Sequence, residues 1–290
     1  MSNSVNIDTF TNARFLNRVQ DLLTRSTTRL SSGSRIVSAS DDPAGAALGE
    51  KLTGQNKRIQ AASTNIQNAI SHLQTVDGFL TGMNGLVTRM SELQVMANDP
   101  IKNPGDIALY QSEFTQLQDQ LRVTIGGSTA EIGGTFGITK PLGTFNGNIL
   151  FGSNPGGTAI ATGDTPSENI PLPEINLRNG GMLALIQQDA SGNYTLHLTD
   201  SDAGTKIMAG IQDLGDERST IGAVNQRFDV AGTTLIQRGQ DLTQSLSDIN
   251  DVSVATESTH LAKYQMLAQA ATSMLTQENR APQAILKLLS

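Results

Sequence analysis

Apolar and small residues recur at alternating steps of three and four along much of the chain. The longest series runs Leu48, Leu52, Gln55, Ile59, Ala62, Ile66, Ala69, Leu73, Val76, Leu80, Met83, Val87, Met90, Gln94, Ala97, and only its two glutamines break the character. A 3.5-residue average repeat held over seven heptads is the seam of a coiled coil, and a globular helix seldom runs so long. Asp42 can cap the start of this helix and Pro43 suits its first position, while Asn98-Asp99-Pro100 ends it. A second helix follows, with the seam Ile107, Tyr110, Phe114, Leu117, Leu121, and the short connection implies an antiparallel return.

At Gly126 the pattern stops. Residues 126–206 are rich in Gly, Thr, Asn and Pro, with short β-compatible pieces at Phe145–Phe151, Ile170–Leu177, Met182–Gln187 and Tyr194–Leu198. Asn179-Gly180-Gly181 and Ser191-Gly192-Asn193 read as hairpin turns. A further seam then reads Ile221, Val224, Phe228, Ala231, Leu235, Arg238, Leu242, Ser245, Ile249, Val252. The last reads Leu261, Tyr264, Ala268, Ala271, Leu275, Glu278, Pro282, Ile285, Leu289, and the amino end carries a shorter one at Leu16, Val19, Leu23, Ser26, Leu30. The layout is nearly palindromic: terminal helix, long helix, insert, long helix, terminal helix. The expected fold is mainly α, a rod of long antiparallel coiled-coil helices with paired amino- and carboxy-terminal helices and a small β-rich insert at the tip.

Composition agrees with thin layers rather than a thick core. Apolar residues make up 37% and aromatics 4%, with no Trp and three Tyr; aromatics usually supply much of a core's buried area. The absence of Cys removes disulfides, thiolate nucleophiles and cysteine metal sites. A net charge of −7 argues against nucleic acid as a partner, since phosphates need Lys and Arg to neutralise them. No run approaches the ~18 apolar residues of a membrane span, so no membrane partner is expected. The amino terminus lacks the basic start and apolar stretch of a cleavable signal peptide.

Candidate chemistry is sparse. His72, His197 and His260 share no metal-ligand spacing, Asp41-Asp42 is explained by capping, and no Ser/His/Asp arrangement stands at a recognisable spacing. The glycines at 126–134 do not form a phosphate loop, because Lys140 lacks the Gly-Lys-Ser/Thr ending. No catalytic residue, cofactor or metal is therefore expected. Arg14, Arg18, Arg25 and Arg29 lie within about 60° of one another on the first helix, opposite the Leu16/Val19/Leu23/Leu30 stripe. A solvated charged face and ion pairs between subunits both fit them. Gly78, Gly82 and Gly85 inside the long helix fit either close helix approach or tolerated surface positions.

Local sequence adds a family. Arg29 to Ile36 resembles the RLSSGxRI segment of bacterial flagellin, and Asp41-Asp42-Pro43-Ala44-Gly45 resembles its DDAAG stretch with Pro for one Ala. Arg89, Glu92, Leu93 and Val95 fall on its RxxELxV helix, and Phe145-Asn146-Gly147 on its FNG turn. Leu214 and Gly222 to Phe228 look like its LGAxQNRF region. Ala270, Ser273, Gln277, Asn279, Pro282-Gln283 and Leu286–Leu289 match its carboxy-terminal helix. The resemblance covers about residues 1–150 and 207–290.

The resemblance implies a structural subunit, not an enzyme, that is exported unfolded by the flagellar type III system. It polymerises with copies of itself into the hollow helical filament of the flagellum, outside the cell, for motility. It implies inner-tube helices at 1–43 and 250–290, shell helices at 44–150 and 207–249, and a small insert at 151–206. The filament-core interface would use Leu16, Val19, Leu23, Leu30, the four arginines, Leu261, Tyr264, Ala268, Ala271, Leu275, Ile285 and Leu289. The outer face of the last helix, at Ala262, Gln269, Ala270, Ser273 and Gln277, would line the channel. Implied partners are a flagellar export chaperone, the filament cap, the hook-associated proteins and the flagellin-sensing Toll-like receptor, the last at Arg89, Leu93 and Glu113. Ser91 stands where the family's receptor motif has a second Arg, which weakens that contact. The nearest rival is a hook–filament junction protein, which shares the terminal helices and the Ser40-Asp41-Asp42-Pro43 start; a glycan-modifying enzyme would need a larger insert.

Overall fold

A computed structural model describes residues 2–152, 159–165 and 167–288, with side chains described from 10 to 278 and at 280. Among the described residues lie seven helices and four short strands, so the chain is mainly α with a small β component, as its periodicity requires. The helices are α1 (Ser2–Ser32), α2 (Pro43–Ala97), α3 (Pro104–Ile125), α4 (Thr129–Ile132), α5 (Gly180–Ile186), α6 (Ala203–Asn250) and α7 (Val254–Leu288). The strands are β1 (Thr144–Phe145), β2 (Asn148–Ile149), β3 (Ala159–Ala161) and β4 (Asn169–Pro171). The chain divides into two compact units, Met1–Lys57 with Gly239–Ser290, and Arg58–Arg238.

In the second unit the α2 seam does what its spacing requires. Every seam position from Ile59 to Met90 is buried. Beyond it Leu93 takes the inner position expected of Gln94, and Ala97 follows. Two successive steps of three, from Val87 to Met90 to Leu93, interrupt the strict alternation and overwind the seam locally. Asp77 pairs with Arg218 of α6 at 2.8 Å, Ile66 faces the backbone of Gly232, and Gln94 faces that of Gly204. Numbers rise on one helix as they fall on the other, so α2 and α6 run antiparallel. Nothing lies within 4 Å of a Cβ placed at Gly78, Gly82 or Gly85. No helix of the described residues approaches these glycines closely.

The expected antiparallel return of α3 is present. Asn103 and Asp106 form a reciprocal capping box, at 2.9 Å and 3.3 Å, ahead of Pro104 at the first helical position. Phe114 and Leu121 are buried as expected, but so are Gln118 and Arg122, which the apolar pattern did not mark.

Past α3 the β reading holds only in part. β1 and β2 pair as a hairpin across Asn146 (φ 49) and Gly147 (φ 80), the left-handed pair that a two-residue turn of this hand demands. β3 pairs antiparallel with β4, which ends at Pro171, well short of Leu177. The expected strand at Met182–Gln187 is instead helix α5. Its buried residues Met182, Leu185 and Ile186 are spaced three and four apart, not two, and Leu, Ala and Met favour helix. Asn179-Gly180-Gly181 leads into that helix rather than turning a hairpin; a Cβ at Gly181 would sit 2.4 Å from Ala209, so only glycine fits there. Ser191-Gly192-Asn193 does turn the chain, held by the Asp189 carboxylate, which accepts from Ser191 N at 2.8 Å and Asn193 N at 2.9 Å. Tyr194, Leu196 and Leu198 alternate inward as a strand would, yet among the described residues a single bridge, between Tyr194 and Gln188, is their only ladder pairing.

Candidate functional site

The first unit is built on α1 and α7, which pack along their length. Val19 (2% exposed), Ser26 (1%) and Ala271 (2%) are the buried centre of the seam. Leu16, Leu23 and Leu30 of α1, and Leu261, Tyr264, Ala268 and Leu275 of α7, are half-buried beside them. The seam residues therefore come together as their spacing predicts. The side chain of Ile285 and all of Leu289 lie outside the described residues. Two polar contacts fix the register: Asn12 donates its amide to the Glu278 carboxylate, and the Ser26 hydroxyl donates to the Glu257 carbonyl at 3.4 Å. Small residues at Ser26, Ala268 and Ala271 allow the close approach of the two helices.

The four arginines do not share one role. Arg25 and Arg29 approach Asp41 of the same chain at 3.6 Å and 3.8 Å. Asp41 is almost wholly buried, and its carboxylate also accepts from Val37 N and Ser38 N, both at 3.3 Å. Asp41 thus gathers the loop between α1 and α2, whereas Asp42 alone caps α2, accepting from Gly45 N at 2.9 Å. Arg14 lies over the Phe10 ring at 4.6 Å and, like Arg18, is exposed.

The same loop is stitched to the break between α6 and α7. Arg35 N donates to Asn250 O at 2.6 Å, and Val252 N to Gly33 O at 3.0 Å. The Ser34 hydroxyl donates to the Asn250 side chain at 2.7 Å, and the Arg35 guanidinium to Ile249 O at 2.8 Å.

The outer face of α7 exposes Ala262, Gln269, Ala270, Ser273 and Gln277. Met266, 65% exposed, lies on the same face, and Arg280 brings a charge to its far end. On α1, Phe10 (60%) and Phe15 (44%) are exposed.

In the second unit Arg89 bridges to Glu113 of α3 at 2.7 Å and to Glu92 at 2.9 Å. These bonds raise the Arg89 pKa further above its ordinary value, and the bond from Arg89 holds the Glu113 carboxyl below the usual range. Both side chains are open to solvent. Leu93, one of the three residues expected at the receptor contact, is fully buried in the α2 seam. Of the three residues singled out for that contact, Arg89 and Glu113 are available. Among the described residues no group of three or more His, Cys, Asp or Glu is placed to hold a metal ion, and no helix is long and apolar enough to cross a membrane.

Paired terminal helices, long antiparallel seams and exposed apolar residues along the pair define a helical structural subunit of the kind that packs against further chains. Family models support this: that of the bacterial flagellin N-terminal helical region matches residues 4–130, and that of the C-terminal helical region matches residues 205–289. The chain is 30% identical to a flagellin of Bacillus subtilis over 287 residues, covering 90% of each chain. It is 29% identical to a flagellin of Halalkalibacterium halodurans, covering 90% of this chain and 89% of that one. It is 26% identical to a flagellin of Listeria monocytogenes over the whole of both chains. The chain belongs to the bacterial flagellin family. It is a structural subunit of the flagellar filament, exported from the cell and polymerising with copies of itself. These matches give the junction-protein reading no better support.

Proposed function

We propose that the α1–α7 pair forms the inner tube of the filament, from residues 1–43 and 250–290. The helices of 44–150 and 207–249 form the shell around it, and the small insert of 151–206 faces outward. The observation that carries this reading is the division of α7 into two faces. One is the stripe from Leu261 to Leu275 that packs on α1, and the other is the exposed, mostly small and uncharged face around Ser273. A tube that passes unfolded subunits needs a lining with little charge and no broad apolar patch. Before export by the type III apparatus the α7 stripe is an aggregation hazard, and a chaperone that lays the helix in a groove would cover it. The cap and hook-associated proteins meet the same terminal helices at the filament ends. The chain performs no catalysis of its own.

Because the chain contains no Cys, single cysteines report accessibility cleanly. Ser273→Cys is expected to react with a bulky maleimide in the monomer and to be protected in intact filaments, while Ser191→Cys in the insert reacts in both. Equal labelling of Ser273→Cys in monomer and filament would remove α7 from the tube lining.

The exposed Arg89–Glu113 pair supports a second reading, contact with the flagellin-sensing Toll-like receptor. With Leu93 buried and Ser91 in place of an arginine, weak to moderate activation by monomer and little by filament is expected. Arg89→Ala should lower the monomer's activation about tenfold, as loss of a charged hot-spot contact does; an unchanged dose–response would sink the contact.

A further inference from the structure

Gln111, Gln118 and Arg122 stand at i, i+7 and i+11 on α3, hence on one face. Together they bond main-chain groups of segments that follow α3. Gln111 Oε1 accepts from Leu198 N at 2.9 Å, and Gln118 Nε2 donates to Leu185 O at 2.9 Å and Leu196 O at 3.2 Å. Arg122 Nη1 donates to Ile132 O at 2.7 Å and Ile186 O at 2.9 Å. Its Nη2 donates to Gly133 O at 2.6 Å and Phe136 O at 3.3 Å. The Tyr194 hydroxyl adds a bond to Asp119 of the same helix at 2.5 Å.

These are the groups that helix ends and strand edges leave without partners. Ile132 and Gly133 end α4, Leu185 and Ile186 end α5, and Leu196 to Leu198, past the bridge at Tyr194, make no further ladder pairing among the described residues. One guanidinium therefore closes the carboxy ends of two helices, and two glutamines stand in for a neighbouring strand. The segments cannot supply these partners themselves. α4 has four residues and α5 seven, against the ~12–15 below which a lone helix is marginal. Burial of Ile132, Met182, Leu185, Leu196 and Leu198 provides adhesion without direction, while the polar stripe on α3 sets register. The family models match up to residue 130 and again from 205, so the stripe lies in the shared helical region and what it holds lies outside it.

We infer that segments 131–138 and 180–198 form a dependent folding module, ordered while docked on the Gln111–Gln118–Arg122 face of α3 and on α6, where Asp213 accepts from Met182 N at 2.9 Å, and undocking as one piece while α2, α3 and α6 stay helical. Such sub-global openings are read by amide hydrogen exchange.

The test is hydrogen exchange on the full-length monomer across a denaturant series. In the wild type the amides of Gly133, Gly134, Gln187 and Thr195 should share one opening and exchange about a hundredfold faster than seam amides of α2. Arg122→Met should speed them about a further hundredfold by leaving buried carbonyls unpaired, with less than about threefold change in α2 and α6; Arg122→Lys should fall between. If the four amides exchange only together with α2 in the wild type, or if Arg122→Met leaves them unchanged or accelerates the whole unit equally, the module does not exist. The wild-type series decides alone should the methionine variant fail to yield soluble monomer.

Discussion

Deleting residues 261–290 abolishes filament formation and leaves the 58–238 unit folded. The deletion removes Leu261, Tyr264, Ala268, Ala271 and Leu275, the α7 side of the terminal seam, and leaves Val19 and its neighbours on α1 without a partner. The buried seams of α2, α3 and α6 lie within the other unit and lose none of their own contacts. The expected readout is an absence of polymer by electron microscopy and sedimentation, with the thermal melt of the long helices kept within a few degrees. Binding of an export chaperone should be lost in the same variant. Filaments of normal length from the truncated chain would show that α7 is not part of the filament core.

The second large effect lies in the long seam. Leu80 is fully buried at the middle of α2. Replacing it with Asp forfeits about 2–3 kcal/mol of apolar burial and places a carboxylate where water cannot reach it, at a further cost of several kcal/mol. Against a total stability of roughly 5–15 kcal/mol, Leu80→Asp should unfold the 58–238 unit at ordinary temperature, seen as loss of most helical circular dichroism. Ile101→Asp, at a position 89% exposed, should stay within ~0.5 kcal/mol of the parent. Comparable melts for the two variants would show that the α2 seam does not carry the stability of this unit.

The helices were legible because one repeat, sustained over many turns, has one structural solution. Ile59 to Met90 and Val19 with Ala271 follow from spacing alone. The start of α2 was legible for the same local reason, since Asp42 before Pro43 acts within four residues, whereas the Asn146-Gly147 turn came only with the family resemblance. What escaped was fixed by distant partners. Gln118 and Arg122 look like solvent-facing residues until the segments they bond are in place. Likewise, Leu196 and Leu198 carry the alternation of a strand, but side chains of α3 bond the Leu196 carbonyl and the Leu198 amide. Asp41 read as one of two capping residues, yet Arg25 and Arg29 of α1 claim it. At Met182–Ile186 the periodicity itself is helical, and the adjoining Asn179-Gly180-Gly181, which has the composition of a turn, opens that helix instead.

The stitching of residues 33–35 to 250–252 has a mechanical consequence. Both segments of the terminal pair are interrupted at the same level, between Ser32 and Pro43 on one side and between Asn250 and Val254 on the other. Two interruptions side by side make a joint, and the bonds between Arg35 and Asn250 and between Val252 and Gly33 act as its pin. A twist or tilt that carries α1 must carry α7 with it. Sliding one helix along the other would break the pin and the buried seam together.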